Sequence, residues 1–239
     1  MIAVVAGGTR GIGRAVAERL ARMGATKLYL GYAQNDEAAH ACAKGVRVPV
    51  ELIRANLGDE AGVADFVSRV QEDVNVFVHA AALGAFKPLL DVKANQWDLT
   101  MNVCARSFQL LLRGLKGRLC AGRARVVAIS SLGAAHVLPS YGAIGAAKAA
   151  LEAIVRYAAS ELAPEGVRVN GVAAGLIESP ALEILKAKGV DVEVARKLTP
   201  MGRLGRADDV ARVVEFLVSD LAEWMCGQIV VVDGGLSLL

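Results

Sequence analysis

Seven short apolar runs alternate with longer stretches of helical character along this 239-residue chain, and that alternation leaves few folds open. The runs are Ile2–Ala6, Lys27–Gly31, Val50–Arg54, Val74–Ala82, Val126–Ile129, Val167–Val172 and Gln228–Gly235. Several are apolar nearly throughout, with no alternation, as in strands buried on both faces. Helices are expected between them over about Arg14–Met23, Glu60–Gln71, Asn95–Leu115 and Asp208–Val218, with one more ending near Leu162, ahead of Pro164 and Gly166. The pattern predicts one α/β domain over 1–239, a doubly wound, mostly parallel sheet with helices on both faces. Only the stretch from Ile177 to Asp208 is long and irregular, with a short helix expected over Ala181–Lys188. Such a loop, about 179–207, suits substrate binding at the carboxyl ends of the strands.

The first run meets a glycine turn, A-G-G-T-R-G-I-G, in which Gly7, Gly11 and Gly13 lead into a helix. Strand, glycine turn and helix bring backbone amides and a positive helix end to a phosphate. The spacing G-x-x-x-G-x-G differs from G-x-G-x-x-G and lacks the Lys-Ser/Thr of a triphosphate loop. It points to a dinucleotide on Gly7, Thr9, Arg10, Gly11, Ile12 and Gly13, although glycines also mark plain turns. About 20 residues on, an NAD site places an acid against the ribose 2′-hydroxyl. Here Gly31, Tyr32, Ala33, Gln34 and Asn35 fill that region, and the first carboxylate is Asp36. Arg10 is placed to bind an extra phosphate, so NADPH is expected over NADH; the plain alternative is a surface arginine.

The stretch V-V-A-I-S-S-L-G-A-A-H-V-L-P-S-Y-G-A-I-G-A-A-K reads as a strand ending in Ser130 and Ser131, a loop, and a helix carrying Tyr141 and Lys148. Seven helical steps turn ~700°, which places both side chains on one face about 10 Å apart. An ammonium there should lower the phenol below its usual pKa of about 10, making Tyr141 an acid. The alternative is an ordinary helix-terminal aromatic and a solvated lysine.

Composition removes other classes. Lys and Arg total 27 against 24 Asp and Glu, a balance that offers nothing to nucleic acid or an anionic membrane. Apolar residues make up 54%, enough for a large core, yet no uncharged run approaches the ~18 residues of a membrane span. No signal-peptide pattern is seen, and Cys42, Cys104, Cys120 and Cys226 are scattered, so a cytoplasmic protein with packed thiols is expected.

Taken together, the glycine turn, Asn102, Ser131, the Tyr–Lys pair and the closing G-Q-I-V-V-V-D-G-G resemble the short-chain dehydrogenase/reductase family, of Rossmann-like fold, over nearly the whole chain. One departure is informative. The family spaces Ser, Tyr and Lys thirteen and then four residues apart; here 148 − 131 = 17 keeps Ser131 and Lys148 in place, but position 144 is Ile144 and the tyrosine is Tyr141. A Tyr so placed is similar to the enoyl-acyl-carrier-protein reductases, and I-S-S-L-G, A-A-K-A-A-L-E-A and V-D-G-G-L-S-L-L are similar to their third, NADPH-dependent type. There is a physical reason. In conjugate reduction charge develops on the thioester oxygen, three bonds from the carbon that takes hydride, and three helix positions move a donor by about 4.5 Å.

The resemblance implies a catalytic set of Tyr141, Lys148, Ser131 and Asn102, with Lys148 on the nicotinamide ribose and Asn102 holding a water. It extends the cofactor contacts to Ala33, Gln34, Asn56, Leu57, Ala81, Gly175, Ile177 and Ser179. Phe86, Leu138, Leu182, Leu185 and Met201 would line an acyl pocket, with plain packing as the alternative. An acyl thioester on acyl carrier protein is the implied substrate, and helices near 95–115 and 138–162 would pair in a homotetramer. No metal is implied. Several positions depart from the family: His79-Ala80-Ala81-Ala82 stands for Asn-Asn-Ala-Gly, Ala174-Gly175 for Pro-Gly, Asn56 for Asp, and Ser131 for the second Tyr of better-studied enoyl reductases. His79 and His136 match no catalytic position and are assigned local roles. A carbonyl reductase and a non-catalytic dinucleotide sensor are the rival readings.

Overall fold

Each of the seven apolar runs forms a strand: β1 Ile2–Ala6, β2 Lys27–Tyr32, β3 Val50–Arg54, β4 Val76–His79, β5 Arg125–Ser131, β6 Arg168–Ala174 and β7 Ile229–Val232. The computed structural model describes residues 1–187 and 191–238, apart from the side chains of 180, 181, 184 and 185. All pairings are parallel, in the order β3-β2-β1-β4-β5-β6-β7. This is the doubly wound, Rossmann-like sheet that the alternation predicts.

The helices are α1 Gly11–Arg22, α2 Asp36–Gly45, α3 Glu60–Arg69, α4 Ala94–Met101, α5 Ser107–Ala121, α6 Gly142–Leu162, α7 Pro180–Ala187, α8 Val192–Leu198 and α9 Ala207–Val218. On one face Val16, Leu20, Val210 and Val214 of α1 and α9 pack on Val5, Leu28 and Val127. On the other Phe66, Phe108, Leu111, Leu151 and Val155 of α3, α5 and α6 cover Val4, Tyr29, Phe77 and Val126. No helix among the described residues is long and apolar enough to cross a membrane. Cys42 and Cys104 are buried, Cys120 and Cys226 half-buried, and all four are free thiols.

Several boundaries differ from expectation. Helix α1 begins at Gly11, three residues early, because the glycine turn itself supplies its first turn. The strand expected over Val74–Ala82 shortens to β4, since Asn75 is diverted: its Oδ1 accepts from the Ile2 N–H at 2.7 Å and its Nδ2 donates to the Gly122 carbonyl at 3.1 Å. The Gln228–Gly235 run shortens to β7 because Asp233 turns the chain, accepting from the Gly235 and Ser237 amides. The helix expected over Asn95–Leu115 is longer and is interrupted by a π-helical segment, Asn102–Arg106. Helix α2 was not expected, nor was α8 inside the supposedly irregular region. The helix expected at Ala181–Lys188 is α7, and Lys188 lies outside the described residues.

An ionic cluster ties α1 to α9. Arg19 donates to both oxygens of Asp208, at 2.7 and 2.8 Å, and also to Glu215. The Arg19 hydrogen bonds hold the Asp208 carboxyl down at about 2, against burial, with Arg212 adding to the pull. Because the folded value lies below the ordinary 3.8, this stabilisation is present above pH 3.8 and is lost as pH falls through about 2. Asp208 is partly exposed, so screening limits Asp208→Asn to a loss of about 1 kcal/mol at pH 7. Thermal unfolding across pH should show the mutant deficit shrinking to nothing near pH 2; a deficit independent of pH would contradict the ion-pair account.

Candidate active site

β1 and β4 are neighbours in the sheet, but the chain leaves them in opposite directions, β1 toward β2 and β4 toward β5. At such a point the loops part and open a crevice beyond the carboxyl ends of the strands. The glycine turn lines one side of it. A Cβ on Gly13 would lie 2.0 Å from the Gly7 carbonyl oxygen, so α1 can approach β1 only with glycine there. Gly7, at φ 78°, lies against the backbone of Ala80 and Ala81, where a Cβ would come within 2.7 Å of the Ala81 nitrogen. Gly11, at φ 52°, instead faces open space. Arg10 is the N-cap of α1 and gives it no side-chain cap, and the first turn holds no acid. A helix end with free amides and positive potential thus opens on the crevice, as a phosphate cradle requires.

The other expected cofactor residues follow the carboxyl ends of β1, β2, β3, β4 and β6. Thr9 is buried in the turn, Ile12 is half-buried, and Ala81 packs beneath. Ala33 and Gln34 are exposed directly after β2, and Arg10 is exposed across from no described partner. Asp36, the first acid, accepts from the Tyr32 hydroxyl at 2.8 Å and from Arg54 at 3.3 Å. Asn56 is occupied in a turn, accepting from the Gly58 amide and donating to Asp59, while Leu57 is buried in the core. Gly175 follows β6, where a Cβ would meet the Asp233 backbone at 2.7 Å. Ile177 is buried and bridges to Gly205, and the half-buried Ser179 faces the Leu182 amide at the start of α7.

Two corrections concern the tyrosine. Tyr141 is the N-cap of α6, outside the helix, with Ser140 before it in the left-handed region at φ 57°. Burial raises its phenol above the ordinary value, and hydrogen bonding to Ser131 offsets only part of this; Lys148 is not among the causes. The lowered pKa expected from the Tyr–Lys spacing is absent because burial sets the direction and the Lys148 charge does not contribute. The ring lies edge-on to the backbone of Gly133, where a Cβ would come within 2.5 Å of it, and 5.9 Å from the Phe86 ring.

Lys148 is no solvated lysine. It is buried, its Nζ donates to the Ile129 carbonyl at 2.7 Å, and burial lowers its pKa. Ser131 ends β5 and its hydroxyl accepts from the Gly133 amide at 3.2 Å. Asn102 is half-buried at the first position of the π segment. Ile144, where the usual spacing would put the tyrosine, is buried with its side chain against Gly84.

An apolar cluster adjoins the phenol: Tyr141, Phe86 and Leu176 with Leu182, Val192 and Leu204. Phe86 and Leu182 fall where the acyl pocket was expected. Met201 does not; it is 67% exposed and lies beside Gly234. Leu138 is half-buried against Gly133, and the Leu185 side chain lies outside the described residues. A cavity of about 710 Å³ continues from Leu182, Val192 and Leu204 between α7 and α8, rimmed by Glu183, Arg196 and Arg203. Sequence reasoning missed Leu176, Val192 and Leu204, since a loop gives no periodicity to mark them. It also missed Glu152, which accepts from Ser130 at 2.6 Å and holds up the pKa of the buried Lys148 one helix turn away. Among the described residues no group of His, Cys, Asp and Glu could hold a metal ion. His136 lies in an exposed turn, and His79 is fully buried.

Comparison with known proteins bears on this arrangement. A family model described as enoyl-(acyl carrier protein) reductase matches residues 6–237. The chain is 33% identical over 246 residues to 1-cyclohexenylcarbonyl-CoA reductase of Streptomyces collinus, covering 100% of this chain and 87% of that protein. It is 30% identical over 251 residues to versicolorin reductase 1 of Aspergillus parasiticus, covering 98% and 95%. Among solved structures, a short-chain type dehydrogenase/reductase from Mycobacterium ulcerans superposes with a TM-score of 0.89 at 26% identity, covering 99% of this chain and 90% of that one.

Proposed function

The chain belongs to the short-chain dehydrogenase/reductase family, and from that premise we propose that it is an NADPH-dependent reductase of trans-2-enoyl thioesters. Reductases of this family use nicotinamide cofactors, and the free amides at Gly11, the open surface after β2 and the buried Lys148 fit one. When bound, NADPH supplies a hydride for the β-carbon of the substrate. Gly7–Gly13 would hold its pyrophosphate, Ile177 and Ser179 its carboxamide end, and Lys148 its ribose hydroxyls. The Lys148 ammonium carries three donors, of which Ile129 takes one.

The observation that carries the reading is the position of Tyr141 together with the burial of Ile144. The phenol stands at the cap of α6, among Phe86, Leu182 and Leu204, where an acyl thioester would enter. Its raised pKa keeps it protonated, as a donor to a developing thioester oxyanion must be. Ser131 is the second donor, and Asn102 holds a water between Lys148 and solvent. The name 1-cyclohexenylcarbonyl-CoA describes an alkene conjugated to a thioester, which supports the same class. Acyl carrier protein as the carrier, a homotetramer paired through α5 and α6, and a cytoplasmic setting belong to this proposal. A carbonyl reductase is the second reading, favoured by the versicolorin reductase relative and by Ser131 beside Tyr141.

Cofactor choice is tested at Arg10. Losing one charge-assisted contact to a phosphate, Arg10→Ala should weaken NADPH binding about 10- to 100-fold and leave NADH within about 2-fold. Fluorescence titration reads both constants. Equal weakening of the two, or a wild type preferring NADH, would remove the 2′-phosphate from the account.

A further inference from the structure

His79 ends β4, fully buried, with its ring 5.4 Å from that of Phe108. Its Nε2 lies 2.8 Å from the Ser107 hydroxyl, and that hydroxyl lies 2.7 Å from the Val103 carbonyl oxygen. A carbonyl only accepts, so the hydroxyl donates to Val103 and receives the proton on Nε2. This assigns the Nε2–H tautomer and leaves Nδ1 as a bare acceptor. Among the described residues it is the one buried side-chain polar atom without a partner. Burial and then the charge of Lys148 push the imidazole down to about 3, so it stays neutral at physiological pH.

Ser107 stands where the π segment returns to α-helix. Its backbone N–H reaches the carbonyl of Asn102, five residues back. In an uninterrupted α-helix that N–H would serve Val103. Here the Ser107 hydroxyl serves Val103 instead, and the His79 ring holds the hydroxyl in that orientation. Short π segments are rare and recur at functional sites, and this one begins at Asn102.

We propose that His79 and Ser107 are positioning residues, a buried imidazole–hydroxyl relay that fixes the π register presenting Asn102 to the active centre. The proposal rests on Asn102 acting beside Lys148, as in the function proposed above.

Three variants test it. Ser107→Ala removes only the hydroxyl and strands both Val103 and His79. His79→Leu removes the donor, and His79→Gln, whose amide nitrogen stands about where Nε2 does, keeps one. Hydrogen exchange of peptides spanning 102–107 is measured without substrate. NADPH affinity, KM and kcat are measured with whichever thioester, enoyl or keto, the wild type reduces. Ser107→Ala and His79→Leu should each speed exchange of the segment and lower kcat about 10- to 100-fold, with KM and NADPH affinity within about 3-fold. His79→Gln should stay within about 3-fold of wild type in every readout. Wild-type exchange and kcat in Ser107→Ala would overturn the relay, as would His79→Gln failing as badly as His79→Leu. If the wild type reduces neither thioester, the proposed reaction falls, and the exchange data still decide the relay.

Discussion

Tyr141→Phe lowers kcat about 1,000-fold and leaves NADPH affinity within about 2-fold. The substitution deletes one hydroxyl and nothing else. The ring keeps its place beside Phe86 and edge-on to the Gly133 backbone, where the absence of a Cβ leaves room for it. What is lost is the donor meeting charge on the thioester oxygen, a contact that strengthens only in the transition state. The loss therefore falls on kcat, with KM little changed. Burial raises the phenol above 10, so its protonated form persists to higher pH than a free tyrosine would allow. The wild-type rate should accordingly show no alkaline limb from Tyr141 below pH 10. The double variant Tyr141→Phe/Ile144→Tyr should stay inactive toward the enoyl substrate, since residue 144 is buried against Gly84. Recovery of enoyl reduction in that double variant would show that the position of the phenol does not matter.

Lys148→Met separates catalysis from folding. Lys148 is buried, with one hydrogen bond to Ile129 and no carboxylate within ion-pairing distance among the described residues. Cys104 and then Glu152 are the groups whose fields hold its pKa up against burial, and its own charge reaches the ring of His79. A cation held this way is costly, and an apolar side chain of similar length removes the cost. The variant should lose about 1,000-fold in kcat/KM and weaken NADPH binding, while its unfolding midpoint at pH 7 stays equal or rises. The sign follows from linkage. The folded pKa lies below 10.5, so the unfolded chain binds more protons and the wild type gains stability as pH rises toward 10.5. The advantage of the variant should therefore shrink in alkali. A variant that loses both activity and stability would instead make the ammonium a structural support.

Much of the fold was legible because a strand covered on both faces must be apolar almost throughout, and such runs stand out without any partner in view. Where burial is one-sided and thin, the signal fails. Helix α2 buries only Ala39 and Cys42, and α8 only Ala195, so neither has a stripe long enough to read as a helix. The π segment is hidden for another reason. It shifts the helical register by one residue, and the hydroxyl that compensates for it belongs to a serine that looks ordinary in the sequence.

The candidate residues are marked by their spacing, but that spacing misreads the electrostatics of the phenol. Spacing alone picks out Tyr141 and Lys148 at the start of α6, as it does the glycine turn at the start of α1. Spacing carries no information about dielectric. The phenol is raised instead of lowered, because Phe86, Leu182 and Leu204, which pack with it, come from elements distant in the chain. The histidine at 79 was visible as one polar residue in an apolar run, but its partner could be found only through the packing of α5 on β4.

The central claim is that the displaced phenol serves conjugate reduction. Its most direct test follows NADPH oxidation by the purified protein with a trans-2-enoyl thioester and, in parallel, the matching 3-ketoacyl thioester. The account predicts turnover of the enoyl substrate alone, abolished in Tyr141→Phe. Turnover of the keto substrate alone would contradict it and make the protein a carbonyl reductase with its tyrosine at the helix cap.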